Sequence, residues 1–377
     1  MKLIHISDLH IGKRLNNYSL IEDQKFILDS ILKITDDEKP DGIIIAGDVY
    51  DRSIPSEEAV SVFDDFLVNA AEMVKNIFVI SGNHDSAERL SFGGRLIKER
   101  GVHISPVFDG CPRPVTIKDE YGEADVYLLP FIKPVHVRHF YPDEEITDYT
   151  SAMDCVIKKM APDADKRNIL VSHQFVTGAV QGGSEEISVG GLDNVDGSVF
   201  APFDYVALGH IHGAQNIGEN VRYCGTPLKY SFSEVKQQKS VTVVELKEKG
   251  SLEIRTIPLE PMRDMLEIKG TFAEITDTSY VKSIASDSYM RVTLLDDDEI
   301  PNAFGKLTAV YPNLMRMDYD NKRTRSMAET VSIGTEKADD PVQLFESFFE
   351  QRNGQPMNSD QREYIMEKLE EIWGGAE

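Results

Sequence analysis

The sequence is short of cysteine, of long apolar runs and of positive charge. Its three cysteines, Cys111, Cys155 and Cys224, lie far apart and form no CxxC pair. That excludes a disulfide framework and fits a reducing compartment. No apolar stretch approaches the ~18 residues of a membrane span. The opening MKLIHISDLH is apolar only briefly and meets Asp8 and His10 at once, so it does not read as a signal peptide. A soluble cytoplasmic protein with no membrane partner is expected. Lysine and arginine number 40 against 64 aspartates and glutamates, a net charge of -24. A free-standing DNA-binding chain is usually basic, because phosphate contacts carry the affinity. Bulk charge therefore counts against nucleic acid as a partner of this chain alone. It leaves a nuclease open, since metal ions neutralise phosphate locally and a partner subunit can supply basic surface.

The 377 residues favour two or more domains. In the first hundred residues, KLIHIS, GIIIAG, NIFVIS and VHIS read as strands. Helices are expected over 18–35, 56–74 and 87–100, the last ended by Gly101. Apolar runs without alternation suggest strands covered on both faces, so the class is α/β in layers. After Gly110 the pattern is mostly strands: PVTI, ADVYLLPF, NILVSHQF, DYVALGHIH, VRYCG, and the hairpin SVTVVELKEKGSLEIRTIPL with its turn at Lys249-Gly250. One helix is expected near 150–160. A first domain of residues 1–261 precedes a small α/β unit at 262–334. In that unit DMLEIKG, YMRVTLL and a segment near 314–319 read as strands, with a helix near 272–285. Residues 335–340 are a polar linker, and 341–377 carry helical apolar stripes, Val342, Phe345, Phe348 and Phe349, then Ile365, Leu369 and Ile372 beside Trp373.

Five strands end in polar clusters: Asp8-Leu9-His10, Gly47-Asp48-Val49-Tyr50-Asp51, Gly82-Asn83-His84-Asp85, Ser172-His173 and Gly209-His210-Ile211-His212. Ligand sites of α/β sheets lie beyond the carboxyl ends of strands. Residues two apart on an extended segment share a face, so Asp8 with His10, and His210 with His212, reach into one pocket. Carboxylate, amide oxygen and imidazole are ligands for Mn²⁺, and imidazole also suits Zn²⁺ or Fe²⁺. Seven candidates (Asp8, His10, Asp48, Asn83, His173, His210, His212) are too many for one ion and suit two, with Asp48 as bridge. Two ions about 3.5–4 Å apart clamp an in-line phosphoryl displacement. His84, pointing in from the turn, would protonate or stabilise the leaving oxygen.

D-x-H, G-D-x-x-D, G-N-H-D and G-H-x-H in this order resemble the calcineurin-like metallophosphoesterases. HISDLHIGKRL, AGDVYDRSIPS, ISVGGLDNV and YCGTPLKYSFSE narrow the likeness to the SbcD family, the nuclease subunits of bacterial SbcCD complexes. The resemblance implies a layered metallophosphoesterase β-sandwich flanked by helices, a small α/β capping domain that recognises DNA, and C-terminal helices that dock a partner. It implies that Asp8, His10, Asp48 and His212 hold one Mn²⁺, and Asp48, Asn83, His173 and His210 the other, with His84 catalytic. Some relatives carry a second histidine where this chain has Asp51, which leaves that auxiliary position open. It also implies a homodimer joined to SbcC, a coiled-coil ABC-type ATPase that uses ATP. The implied activities are endonuclease on single strands and hairpins and 3'-5' exonuclease on duplex ends, in DNA repair.

Plainer readings stand beside these. Asp8 and His10 can fix a turn, Asn83 can serve a left-handed turn, and His173 alone can be a satisfied core histidine. His5, His103, His136 and His139 match no motif and read as structural or surface residues. Lys13, Arg14, Arg52 and Arg89, close to the motifs, read equally as DNA-phosphate contacts or as surface ion pairs. The C-terminal apolar stripes pack either on their own core or on a partner. Two other functions compete: a phosphatase of phosphomonoesters on the same core, and a non-catalytic scaffold without metal.

Overall fold

The computed structural model describes residues 1–180, 194–285 and 287–321, with positions 324, 345–346, 349–350, 356–359, 361–362 and 364–366 beyond them. The motif ISVGGLDN at 187–194 thus lies mostly outside the described residues, as do the linker and most of the C-terminal apolar stripes.

The first compact unit comprises residues 1–267 with 287–290. It holds two six-stranded sheets. In the first, β1 (Lys2–Ile6), β2 (Gly42–Ala46), β3 (Asn76–Ile80) and β4 (Val102–Ile104) run parallel, and the hairpin β11 (Ser240–Leu246) and β12 (Leu252–Pro258) adds antiparallel strands beside β1. The second sheet has the order β9-β10-β8-β7-β6-β5: Gln215–Ile217, Val221–Tyr223, Tyr205–Gly209, Arg167–His173, Gly122–Leu128 and Val115–Asp119. Its four central strands are parallel. Period-two alternation sorts the side chains. Leu3, Ile44, Ala46, Phe78 and Ile80 from one sheet meet Val126, Ile169, Val171, Tyr205 and Ala207 from the other in one buried cluster. The opposite parity of the second sheet (Tyr127, Leu170, Val206, Leu208) packs on helix Tyr149–Met160. Both sheets are therefore covered on two faces, which explains their unbroken apolar runs.

Local chemistry corrects several expected boundaries. Asn16 and Asn17 adopt left-handed φ of 47° and 72° and turn a short hairpin, Arg14–Leu15 with Tyr18–Ser19, so the first helix runs Ile21–Glu38 rather than from 18. The second helix, Glu57–Met73, starts as expected at Ser56, whose side chain accepts from the Ala59 N–H. The helix expected over 87–100 is broken: Gly93, at φ 75°, separates Ala87–Leu90 from Gly94–Ile97 and a 3₁₀ turn Lys98–Arg100. Helix Pro134–Phe140, with a proline at its start, was not expected.

The second compact unit comprises residues 268–286 and those from 291 onward. A three-stranded sheet orders Met265–Gly270, Tyr289–Leu294 and Leu314–Tyr319, so its first two strands carry the chain across the division. The single helix expected near 272–285 is two, Phe272–Ile275 and Thr278–Ser283, because Asp277 caps the second by accepting from Ser279 and Tyr280 N–H. Helix Ala303–Thr308 is additional. No helix among the described residues is long and apolar enough to cross a membrane.

His5 bears the structural role expected of it. Its ring lies fully buried between the sheets, with Nδ1 2.8 Å from the Tyr205 hydroxyl. Burial, then the nearby Arg222 guanidinium, lowers its pKa to about 3. Unfolded, the ring takes up a proton below about 6.5, which the folded state refuses until about 3. The stabilisation is therefore complete above 6.5 and is lost as pH falls towards 3. Urea midpoints measured from pH 7 to pH 4 should fall less steeply in His5→Gln; an unchanged slope would remove His5 from the account.

Candidate metal centre

Every polar cluster singled out in the sequence lies at the carboxyl end of a strand, and the clusters meet. Asp8 follows β1, Asp48 follows β2, Asn83 and His84 follow β3, His173 ends β7, and His210 and His212 follow β8. The loops extend the parallel pairing past the strands: Asp8 N–H donates to Gly47 O (3.0 Å) and His10 N–H to Asp48 O (2.9 Å). Four of these residues sit at left-handed φ: Asp8 at 52°, His10 at 44°, Asp48 at 48° and His210 at 99°. Each such conformation costs about 1–3 kcal/mol and persists only where the surroundings enforce it.

Two glycines that precede these residues are steric requirements. A Cβ on Gly82 would lie 2.1 Å from Asp48 Oδ1, and one on Gly209 would lie 2.0 Å from Ala46 O and 2.6 Å from His173 Nδ1. The strand ends approach one another too closely for any side chain there.

The donor atoms converge. His173 Nδ1–H donates to Ala46 O (2.8 Å), which leaves Nε2 facing Asn83 Oδ1 (3.1 Å) and Asp48 Oδ2 (3.3 Å). His210 Nδ1 is 2.9 Å from the same Asn83 oxygen, and the His210 N–H donates to both Asp8 oxygens at 3.1 Å. Asp8, His10 and His212 form one group with ligand atoms within 4.8 Å of one another; Asp8, Asp48 and His173 form a second, and His10, Asp48 and His84 a third. Asp48 thus belongs to two groups and lies among three imidazoles, those of His10, His84 and His173, and a second carboxylate, that of Asp8.

These residues fit divalent cations on two observations of their own. Both ring nitrogens of His10 are buried without a hydrogen-bond partner among the described residues, Nε2 being 3.7 Å from Asp48 Oδ2. Donor separations of 2.9–3.3 Å around Asn83, His173 and Asp48 match the roughly 3.0 Å edge of an octahedron whose ligands stand about 2.1 Å from a small hard ion. The electrostatics agree. Burial, with Asp48 as a like charge, raises the Asp8 pKa. Burial alone would also raise Asp48, but His173, His10 and His84 hold it well below the usual carboxylate range. Two buried carboxylates this close need positive charge between them.

His84 is partly exposed at the mouth. Its Nδ1–H donates to Asp51 O (3.2 Å), so Nε2 faces Asp48 Oδ2 at 3.9 Å, and its own N–H donates to Asp48 Oδ1 (2.9 Å). Asp51 lies 3.8 Å from His10 Nδ1 and pairs with Lys13 Nζ at 2.7 Å. Lys13 is thus half-engaged and stands over the Tyr230 ring. Arg14 donates to Asn17 O (2.6 Å), Arg52 is exposed 3.9 Å from Asp51, and Arg89 is exposed on its short helix.

Sequence reasoning missed the supports. Asp85, the last residue of the Gly82-Asn83-His84-Asp85 cluster, is a support and belongs to none of the ligand groups. Its carboxylate accepts from the N–H groups of Val49, Tyr50 and Gly82 at 2.9–3.0 Å and clamps two strand-end loops together. Glu234, 22 residues past His212, faces His212 Nδ1 at 3.3 Å and Lys239 Nζ at 2.6 Å. Gln24, on the first helix, donates to His10 O (2.7 Å) and accepts from Gly12 N–H (2.9 Å), and Tyr230 OH donates to Leu9 O. A carboxylate behind a ligand histidine fixes its tautomer, and its loss weakens metal binding about 10–100-fold. Glu234→Gln should show that loss in a calorimetric Mn²⁺ titration with the fold intact; native affinity would mean that Glu234 serves only Lys239.

Residues 1–214 match the family of calcineurin-like phosphoesterases, and residues 261–353 match SbcD_C, described as type 5 capsule protein repressor C-terminal domain. The SbcD subunit of nuclease SbcCD from Staphylococcus saprophyticus is 32% identical over 371 residues, which span 97% of this chain and 96% of that protein. Its counterpart from Staphylococcus epidermidis, of the same name, is 31% identical over 98% of both chains. A dimetal phosphatase structure from Danio rerio, 12% identical with a TM-score of 0.39 over 70% of this chain and 98% of its own, is too distant to bear on the argument. The chain belongs to the calcineurin-like phosphoesterases and, among them, to the SbcD family of SbcCD nuclease subunits.

Proposed function

We propose that this chain hydrolyses DNA phosphodiesters as the nuclease subunit of an SbcCD-type complex, with Asp8, His10, Asp48, Asn83, His173, His210 and His212 holding two divalent cations. The observation that carries the reading is Asp48: one buried carboxylate shared between two groups of ligand atoms, beside a histidine whose two ring nitrogens are both unpartnered among the described residues. Oxygen and imidazole donors with no thiolate among them favour Mn²⁺, with Mg²⁺, Fe²⁺ or Zn²⁺ able to substitute. Bound there, two such ions neutralise phosphate charge and make a water nucleophilic at neutral pH.

The protein's own part is positioning and proton transfer. The strained loops and Asp85 fix the carboxylates before substrate arrives. His84, anchored through Nδ1–H on Asp51 O, presents Nε2 at the mouth, where it donates a proton to the departing oxygen. Lys13 and Arg52, beside Asp51 at the same mouth, contact strand phosphates. We further propose a cytoplasmic homodimer: Phe92 and Leu96 are 88% and 84% exposed on one apolar hollow of the first unit, an area costly to leave in water. SbcC, the ATP-using partner, docks on the C-terminal segment 341–377, whose sequence carries the apolar stripes.

Circular single-stranded DNA and 4-nitrophenyl phosphate, each offered with Mn²⁺ and with EDTA, separate the readings. Nicking that EDTA abolishes, with little monoester turnover, is expected. Monoester turnover without nicking would make the chain a phosphatase, and folded protein that takes up no Mn²⁺ would make it a scaffold.

A further inference from the structure

A cleft of about 820 Å³ opens beside the metal centre and shares Asn83 and His210 with it. Its volume lies within the roughly 300–1,000 Å³ of small-ligand sites. Its walls are aromatic. Phe131 stands edge-on to His173 (ring centroids 6.4 Å) and Phe175 to His210 (6.5 Å), so the aromatic surface begins where the ligand set ends. Phe108 and Phe140 continue it outward as a perpendicular pair 5.5 Å apart. Lys133, His136 and His139, from the helix that sequence analysis did not foresee, line the same space, with Glu88 at the edge. On its floor the buried Gln174 donates to Ile132 O (3.0 Å), while its Oε1 has no partner among the described residues.

We propose that this cleft receives an unpaired nucleobase of the strand being cut, next to the scissile phosphate. The inference rests on the nuclease reading above and adds what lies beside the phosphate. The chemistry is that of single-strand recognition: aromatic faces to stack on, the Lys133 ammonium for a neighbouring phosphate, and a polar floor group for a base edge. A paired base stays in its stack and gains nothing from the cleft, whereas an unpaired one does. The cleft thereby favours single strands, loops and frayed ends over intact duplex. His136 and His139, read from sequence as structural or surface residues, become part of the substrate path.

The test uses the full chain with Mn²⁺, single-stranded oligonucleotides with one abasic site stepped along the strand, and bis(4-nitrophenyl) phosphate as a diester without a base. Stacking of one base is worth about 1–3 kcal/mol, or roughly 5- to 150-fold. An abasic site adjoining the cut should lower kcat/KM by about tenfold. Phe140→Ala should lower it similarly on the intact strand, add little to the abasic loss, and leave the small diester within twofold. Phe140→Tyr should restore the rate. The cleft is not the base site if no abasic position matters in an active nuclease, if the two losses multiply, or if Phe140→Ala slows both substrates alike. Turnover of the small diester with no cleavage of DNA would instead remove the nuclease reading, and the base site with it.

Discussion

Asp48→Asn is expected to abolish DNA cleavage, by 10³-fold or more, and to leave at most one Mn²⁺ per chain. The amide keeps the shape and the Oδ1 acceptor that holds the His84 N–H at 2.9 Å, so the change isolates the charge. Several kcal/mol of transition-state stabilisation come from a metal pair, and each 1.36 kcal/mol is tenfold in rate. Removing the carboxylate also strips His173, His10 and His84 of the anion they surround. Metal content by elemental analysis, with nicking measured on the same sample, checks both halves. Cleavage within tenfold of native would mean that Asp48 bridges nothing.

His84→Ala should separate proton transfer from metal binding. Nicking should fall about 10²–10⁴-fold, the range for a positioned general acid, while both ions are retained. His84 Nε2 is 3.9 Å from Asp48 Oδ2, little farther than His10 Nε2 at 3.7 Å, and both join Asp48 in one group of ligand atoms. What distinguishes them is burial and support: His10 is sealed in with no hydrogen-bond partner for its ring among the described residues, whereas His84 stands at the mouth and is tied to Asp51 O. Loss of one ion in His84→Ala would make it a ligand. A substrate with an activated 4-nitrophenolate leaving group should be spared much of the loss, because that group needs no proton.

The candidate site was largely legible because its residues are local to strand ends. Gly-Asp, Gly-Asn and Gly-His each follow an apolar run, and the run tells where the strand stops. The glycines themselves carry more than a turn: Gly82 and Gly209 are small because Asp48, Ala46 and His173 occupy the space a Cβ would need. Partners across the fold were not legible. Glu234 reaches His212, Gln24 reaches the His10 backbone, and Asp85 reaches Val49 and Tyr50 only once the sheets are assembled. Nothing in the spacing of a lone Glu or Gln announces such a contact. Helix 87–100 was misread because apolar periodicity continues across Gly93-Gly94, where the left-handed φ of Gly93 breaks the hydrogen-bond ladder. The seven-residue helix 134–140 was missed for the opposite reason: it is too short to show a period, and its histidines matched no motif. The base cleft was hidden with it.

The most direct test of the account is an anomalous-scattering map of crystals of the full chain grown with Mn²⁺. The account predicts two peaks about 3.5–4 Å apart on either side of the Asp48 carboxylate, one towards Asp8, His10 and His212 and the other towards Asn83, His173 and His210. A single peak away from Asp48, or none in a crystal that diffracts well enough to show the ligand imidazoles, would contradict it.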